Sequence, residues 1–233
     1  MSAKKKAVFN WSGGKDSALA LQMILQDPSF EVISLLTTLQ EETEKSSIHG
    51  IPLSILQQQA RQIGIPLCTV SMDKSLKNYE VKMRETVTAF QERGVRHFIF
   101  GDIFLHDIKA YREHHLNPLG IEVVEPLWHL SSEDVMKAYL NSGLEAVIIV
   151  TRADLLDSSF IGKKLDPQTI QAFPADVDIC GENGEYHTMV YGGSIFQQPI
   201  PFSISEVHQA SYDIPLDDGM IETYRYWQAV LDV

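Results

Sequence analysis

Cysteine is nearly absent from this 233-residue chain: Cys68 and Cys180 are the only two, and neither belongs to a CxxC pair. Two distant cysteines make no disulfide framework, so a reducing, cytoplasmic setting is the simplest expectation. The eight histidines lack paired cysteines and HExxH spacing, which excludes the common zinc sites. Positive charge is also scarce. Nineteen Lys and Arg face 31 Asp and Glu, a formal charge of −12, with no basic stretch beyond Lys4–Lys6. Nucleic-acid backbones are held by clustered Lys and Arg, so a dedicated nucleic-acid binder is disfavoured. No run reaches the roughly 18–20 apolar residues of a membrane span. The basic start, Met1–Lys6, is followed by an apolar stretch, Ala7–Trp11, that is too short for a signal peptide. The expectation is a soluble cytoplasmic protein with no membrane partner. A G-x-S-x-G elbow and a cysteine at position 2 are missing too, so neither a hydrolase triad nor an N-terminal glutaminase is supported. An acidic chain that handles phosphate must do so locally, with backbone amides, one or two cations or a metal.

The chain does have ample apolar material, 44% of its residues. Strand and helix patterns alternate through the first two-thirds. Strands are expected at 7–11, 31–38, 65–70, 97–100, 121–124 and 146–150. Helices are expected at 18–26, 53–63 and 107–116, over a stripe of Leu76, Tyr79, Met83, Val87 and Phe90 ending at Gly94, and after Ser131–Ser132. The strands are apolar throughout rather than alternating, as parallel strands covered on both faces are. Repeated βα units predict an α/β fold with a doubly wound, mainly parallel, Rossmann-like sheet. Beyond about Thr151, Gly, Pro and aromatics increase and helical periods fade, which predicts a smaller α+β C-terminal part. The division is set at 1–130 and 131–233.

The strongest local signal is Ser12-Gly13-Gly14-Lys15-Asp16-Ser17, between the first strand and the first helix. A helix N-terminus at the carboxyl end of a parallel strand offers unpaired N–H groups and a positive dipole end. Gly13 and Gly14 let successive amides converge on an anion, Ser12 and Ser17 add hydroxyls, and Lys15 adds a cation. Asp16 cannot hold phosphate; it is assigned to Mg²⁺ or to closing the loop. The spacing is not Walker A, since Phe9 stands where that motif needs glycine. The bland alternative is a glycine turn with Ser12 capping the helix.

Two further clusters lie downstream. Gly101-Asp102 ends the fourth expected strand, which in a doubly wound sheet neighbours the first. In the helix behind it, Lys109, Arg112 and Glu113 share one turn, and Arg112 is either a contact for an anionic substrate group or part of a solvated face. Cys180-Gly-Glu-Asn-Gly-Glu-Tyr-His-Thr188 contains Asn183-Gly184, a type I′ hairpin signal. A tight turn explains those two residues but not the crowding of Glu182, Glu185 and His187, which fit a cationic substrate or ammonium, Mg²⁺, or a proton shuttle. His49, after the second strand, is either a contact to adenosine or a surface histidine.

The SGGKDS loop resembles that of the N-type ATP pyrophosphatases, the PP-loop superfamily with its adenine nucleotide alpha hydrolase-like sheet. That resemblance implies cleavage of ATP between the α- and β-phosphates, with Lys15 and Mg²⁺ stabilising the departing pyrophosphate. SGGKDS, GDIFLxDxxxYRE and CGENGEYHT in this order resemble the diphthine–ammonia ligase family of that superfamily, from Lys6 to about Phe196. The segment Glu42–Pro52 looks like bacterial relatives. The resemblance implies that Ser12–Ser17 bind ATP phosphates, that Gly101 and Asp102 line the nucleotide pocket, and that Glu182, Asn183, Glu185 and His187 face the substrate. The implied reaction is adenylation of a small-molecule or protein-borne carboxylate, followed by attack of ammonia from solution or a partner; a homo-oligomer is compatible with it. The alternatives are a PP-loop tRNA-modifying enzyme and a non-catalytic adenine-nucleotide-binding protein. Thiolation would need a sulfur-carrying cysteine; Cys68 lies in an apolar strand pattern, and Cys180 adjoins the Glu/His cluster.

Overall fold

Short apolar runs between glycines and prolines build a first, mostly parallel sheet. The structure, a computed structural model, describes residues 3–47, 49–73, 78–215 and 221–233. Strand β1 (Lys5–Asn10) buries Ala7, Val8 and Phe9 completely. It pairs in parallel with β2 (Phe30–Gln40) on one side and β5 (His97–Ile99) on the other. β2 carries β4 (Leu67–Met72) and β5 carries β6 (Glu122–Val124), again in parallel. The order β4-β2-β1-β5-β6 is the doubly wound one, and it reverses between β1 and β5. A two-residue strand, β3 (Lys45–Ser46), runs antiparallel to Leu39 and Gln40 of β2. Those residues already bond β4 on one edge, so β3 takes the other and continues the sheet past the end of β1.

The helices cover both faces. α1 (Lys15–Gln26) starts three residues earlier than its periodicity suggests, because the polar residues of the SGGKDS loop form its first turn. α2 (Leu53–Ile63) stops at Gly64, whose φ of +80° closes the helix as few other residues could. α3 (Tyr79–Glu92) buries Val87 and Phe90 of the expected stripe; Leu76 of that stripe lies outside the described residues. α4 (His106–Leu116) follows β5. α5 (Ser132–Ser142) is capped by the Ser131 hydroxyl, which accepts the Asp134 N–H, and it packs on α1.

A second, smaller sheet has the order β8-β7-β10-β9 and is antiparallel throughout. It comprises β7 (Glu145–Arg152), β8 (Tyr186–Gly192), β9 (Ser203–Pro215) and β10 (Ile221–Asp232), with one short helix, α6 (Pro167–Gln171). The 146–150 run therefore does not close the parallel series. Its continuous apolar character reports burial of both faces, from Ala146 to Val150, and says nothing of strand direction. One core runs between the two sheets, joining Phe9, Trp11 and Leu19 to Val135, Ile148 and Met189. The SGGKDS loop is consequently roofed by the second sheet.

Candidate functional site

The carboxyl ends of β1 and β5 open onto one cavity of about 620 Å³, at the point where strand order reverses. Sites in open α/β sheets form there because neighbouring loops diverge on opposite faces. Among its lining residues are Ser12, Lys15, Asp16, Ser17, His49, Gly101, Asp102, Arg112, Glu182 and His187. Its far end is apolar, walled by Met72, Tyr79, Met83, Phe98, Phe100 and Leu119.

The phosphate loop is held from two sides. The Gly13 carbonyl accepts from the Val190 N–H at 2.9 Å and from Gln59 Nε2 at 3.2 Å. Gln59 is fully buried; its Nε2 also donates to the Val190 carbonyl at 2.7 Å, and its Oε1 accepts the Trp11 indole N–H at 2.8 Å. Thr188 Oγ1 accepts the Lys15 amide at 3.0 Å. Gly13 needs its φ of +84° for this turn. Gly14 is needed for closeness instead: a Cβ there would lie 2.5 Å from His49 Cε1. Gly14, without a side-chain cap, is the N-cap of α1, and Ser12 Oγ accepts the Gly14 N–H at 3.3 Å. Ser12 therefore shapes the loop and does not cap the helix. Ser17 Oγ accepts the Ser12 N–H at 3.2 Å, closing the turn.

Lys15 is buried, with Nζ 2.8 and 2.6 Å from the two Asp16 carboxylate oxygens and also donating to the Cys180 carbonyl. Burial alone would lower its pKa; Asp16 and its other acidic neighbours, Cys180 and Glu182, together outweigh that and raise it. The Asp16 carboxyl is pushed up by burial, with Asp102 adding to the shift and Lys15 opposing it. Asp102 pairs bidentately with Arg112, the second contact being 3.2 Å. Arg112 stacks 4.0 Å over Phe100 and has Glu125 3.6 Å behind it. Glu125, whose side chain is 1% exposed, lies 3.0 Å from Lys109, and burial pushes its carboxyl up. Gly101 lets this loop touch α1: a Cβ there would sit 2.9 Å from Ser17 Cα.

The 180–188 segment differs from its expected form. No strand precedes Asn183-Gly184, and Asn183 does not have the positive φ that a type I′ turn demands. The buried Glu185 carboxylate instead accepts from the Asp178 N–H, the Asn183 N–H and Asn183 Nδ2, at 3.2, 3.0 and 3.1 Å. Glu185 and Asn183 thus organise the loop and do not line the cavity. Glu182 does face the cavity, its Oε1 accepting the Ile103 N–H at 3.0 Å. Burial pushes its carboxyl up to about 7, against the opposing pull of the Ile103 N–H.

His49 and His187 meet at 4.8 Å between ring centroids. The Thr188 carbonyl, 3.1 Å from His49 Nδ1, can only accept, so that nitrogen carries the hydrogen. Burial drives both histidines neutral, His49 down to about 4 and His187 to about 3. The Cys180 thiol is pushed up to about 12 by burial and lies 3.2 Å from the Ser132 carbonyl. No cluster of three His, Cys, Asp or Glu suited to a metal occurs among the described residues. Asp16 is occupied by Lys15 and Asp102 by Arg112, so this donor set does not form a protein-built Mg²⁺ cage.

Three contributors escape the sequence reading: Gln59, Thr188 and Glu125. Gln59 has a signal, since it interrupts the buried stripe of Ile55, Leu56 and Ala60 on α2. Thr188 closes the CGENGEYHT motif without a role of its own there, and Glu125 has no signal, because their partners, Lys15 and Lys109, are fixed by tertiary contacts.

Human diphthine–ammonia ligase is 32% identical over 105 residues, which is 42% of this chain and 39% of the human protein. The Bos taurus diphthine–ammonia ligase is 32% identical over 100 residues, 41% of this chain and 38% of its own. The matched stretch thus spans about two-fifths of these curated relatives. Among solved structures, the U34-tRNA thiolase NcsA from Methanococcus maripaludis, with its [4Fe-4S] cluster, aligns with a TM-score of 0.37 and 16% identity. That alignment covers 57% of this chain and 55% of the thiolase. The family model of the diphthamide synthase N-terminal domain matches residues 4–123 and that of the C-terminal domain residues 131–228. With both domain models matched in order along nearly its whole length, the chain belongs to the diphthamide synthase family.

Proposed function

We propose that this protein is an ATP-dependent, AMP-forming ligase that activates a carboxylate by adenylation and joins it to ammonia in the cytoplasm. The observation that carries the reading is the SGGKDS loop at a helix N-terminus, facing a nucleotide-sized cavity at the switch point of a doubly wound sheet. The phosphates lie along Ser12–Ser17, and the apolar end beyond Phe100 and Met83 accepts the base. A carboxylate oxygen of the acceptor attacks the α-phosphorus, the bond to the bridging oxygen breaks, and pyrophosphate leaves. Lys15, the buried cation beside that path, stabilises the departing charge. Ammonia then attacks the acyl carbon, AMP departs with its oxygen, and the nitrogen loses a proton. Arg112, immobilised by Asp102 and Glu125, presents its guanidinium to the acceptor's carboxylate. Mg²⁺ belongs to the phosphates in this scheme, since Asp16 and Asp102 are already paired.

A buried thiol at about 12 is a poor sulfur carrier, and a charge of −12 is unfavourable for tRNA, so tRNA thiolation has no support here. The test is incubation with ATP, ammonium and elongation factor carrying diphthine, alongside a panel of small carboxylates. An acceptor that loses a hydroxyl and gains an amide, seen by mass spectrometry, supports the ligase. ATP binding without turnover of any acceptor would favour a nucleotide-binding protein without chemistry.

A further inference from the structure

The charges around the phosphate loop are poorly arranged for an anion. Lys15 is already occupied by Asp16, and Asp102 is matched by Arg112. Glu182 lines the same cavity but makes no salt bridge among the described residues; a backbone N–H, that of Ile103, holds its Oε1. With every group ionised, the cavity's three Lys and Arg (Lys15, Arg84, Arg112) face four carboxylates (Asp16, Glu80, Asp102, Glu182), so 3 − 4 leaves −1. The other titratable groups around Glu182 do not cancel this. Cys180 is a thiol, and Asp178, whose Oδ1 accepts the Glu182 N–H at 3.2 Å, is a further carboxylate. The His49–His187 pair lies on the Gly14 side of the loop and is neutral. The unmatched carboxylate opposes a polyphosphate that enters at the helix N-terminus, and the opposition ends when it loses its charge.

We propose that Glu182 receives the nucleotide as a neutral carboxylic acid, its O–H donating to a phosphate oxygen, so that binding ATP takes one proton from solvent. The proposal rests on the ATP-binding reading above. Ile103 occupies Oε1, so Oε2 carries the proton. The geometry suits this exchange: a partly buried carboxyl, fixed by one backbone donor and near neutrality when free, needs only one more negative neighbour to protonate fully.

Isothermal titration with ATP, without Mg²⁺ and in buffers of different ionisation enthalpy, reads the proton directly. Wild-type protein is expected to take up about one proton at about pH 8 and close to none at about pH 6, where Glu182 is already protonated. Its Kd is expected to weaken by about tenfold per pH unit above neutrality. Glu182→Gln should abolish both effects, and His187→Gln should keep them; ATP's own ionisation is common to all three proteins and cancels in the differences. If Glu182→Gln does not fold, an infrared carboxylic-acid C=O band gained by wild-type protein on ATP binding at about pH 8 gives the same answer. Binding without proton uptake at that pH, or uptake that survives Glu182→Gln and disappears in His187→Gln, overturns the proposal. Failure to bind ATP at either pH overturns the nucleotide reading as well, and is distinguishable from binding without uptake.

Discussion

Replacing Gln59 by Leu tests how the phosphate loop is held between the two sheets. The change keeps the side-chain volume roughly constant but removes an amide whose three bonds are fixed by chemistry: an indole only donates, and carbonyls only accept. The Trp11 N–H at 2.8 Å and the Val190 carbonyl at 2.7 Å would lose their Gln59 partner in the core, whereas the Gly13 carbonyl would keep the Val190 N–H at 2.9 Å. Each newly orphaned buried group costs about 1–3 kcal/mol, so the variant should lose about 2–6 kcal/mol, less a small gain from burying Leu. For a chain of this length the entropy of unfolding converts that to a fall in Tm of roughly 4–12 °C. Urea unfolding and thermal scanning give the stability, and ATP titration gives the effect on the loop, for which weaker binding is expected. A Gln59→Leu protein within about 0.5 kcal/mol of wild type would refute the reasoning, because that is the range of an unremarkable surface substitution.

Other consequences follow from the same contacts. Gly101→Ala places a Cβ 2.9 Å from Ser17 Cα and 3.0 Å from its N, backbone atoms that cannot rotate away. It should cost about 1–3 kcal/mol and weaken ATP binding, with unaltered stability and affinity as the contrary result. Lys15→Ala should yield a folded protein, less stable by about 3 kcal/mol because Asp16 loses its buried partner, with the deficit shrinking at low pH as Asp16 protonates. Its turnover should fall by at least ~100-fold, and a wild-type rate would remove Lys15 from the mechanism. The Glu182 carboxyl is raised from 4.5 to about 7 in the fold, so its contribution to stability is complete below 4.5 and is lost as pH rises through 7. That loss is on the order of 3 kcal/mol. Glu182→Gln should remove this decline, so the variant should unfold at higher urea than wild type at about pH 8; a parallel pH profile for both proteins would contradict it.

Much of the parallel sheet was legible because its strands carry their own signals. Ala7–Phe9 and His97–Phe100 are continuous apolar runs, and the helices between them end at Gly64 and near Gly94, where glycine permits the chain reversal. Strand 146–150 has the same local pattern but belongs to the antiparallel sheet, since a run of apolar residues records burial and not the direction of its neighbours. The 180–188 segment shows the same limit on the scale of one loop. Asn183-Gly184 has the composition of a hairpin, yet the Glu185 carboxylate, drawing in three donors, determines its path. Lys15, Asp16, Asp102 and Arg112 could be named from motifs, but their pairing into two ion pairs at the cavity could not. Gln59 and Thr188 act on Gly13 and Lys15, partners 46 and 173 residues away in sequence.

The central claim concerns which bond of ATP is cut. ATP labelled at the α-phosphorus, supplied with ammonium, Mg²⁺ and an acceptor carboxylate, should yield label in AMP and in a transient acyl adenylate, with unlabelled pyrophosphate formed in equal amount. Label in ADP, with inorganic phosphate as the other product, would contradict adenylation at this loop.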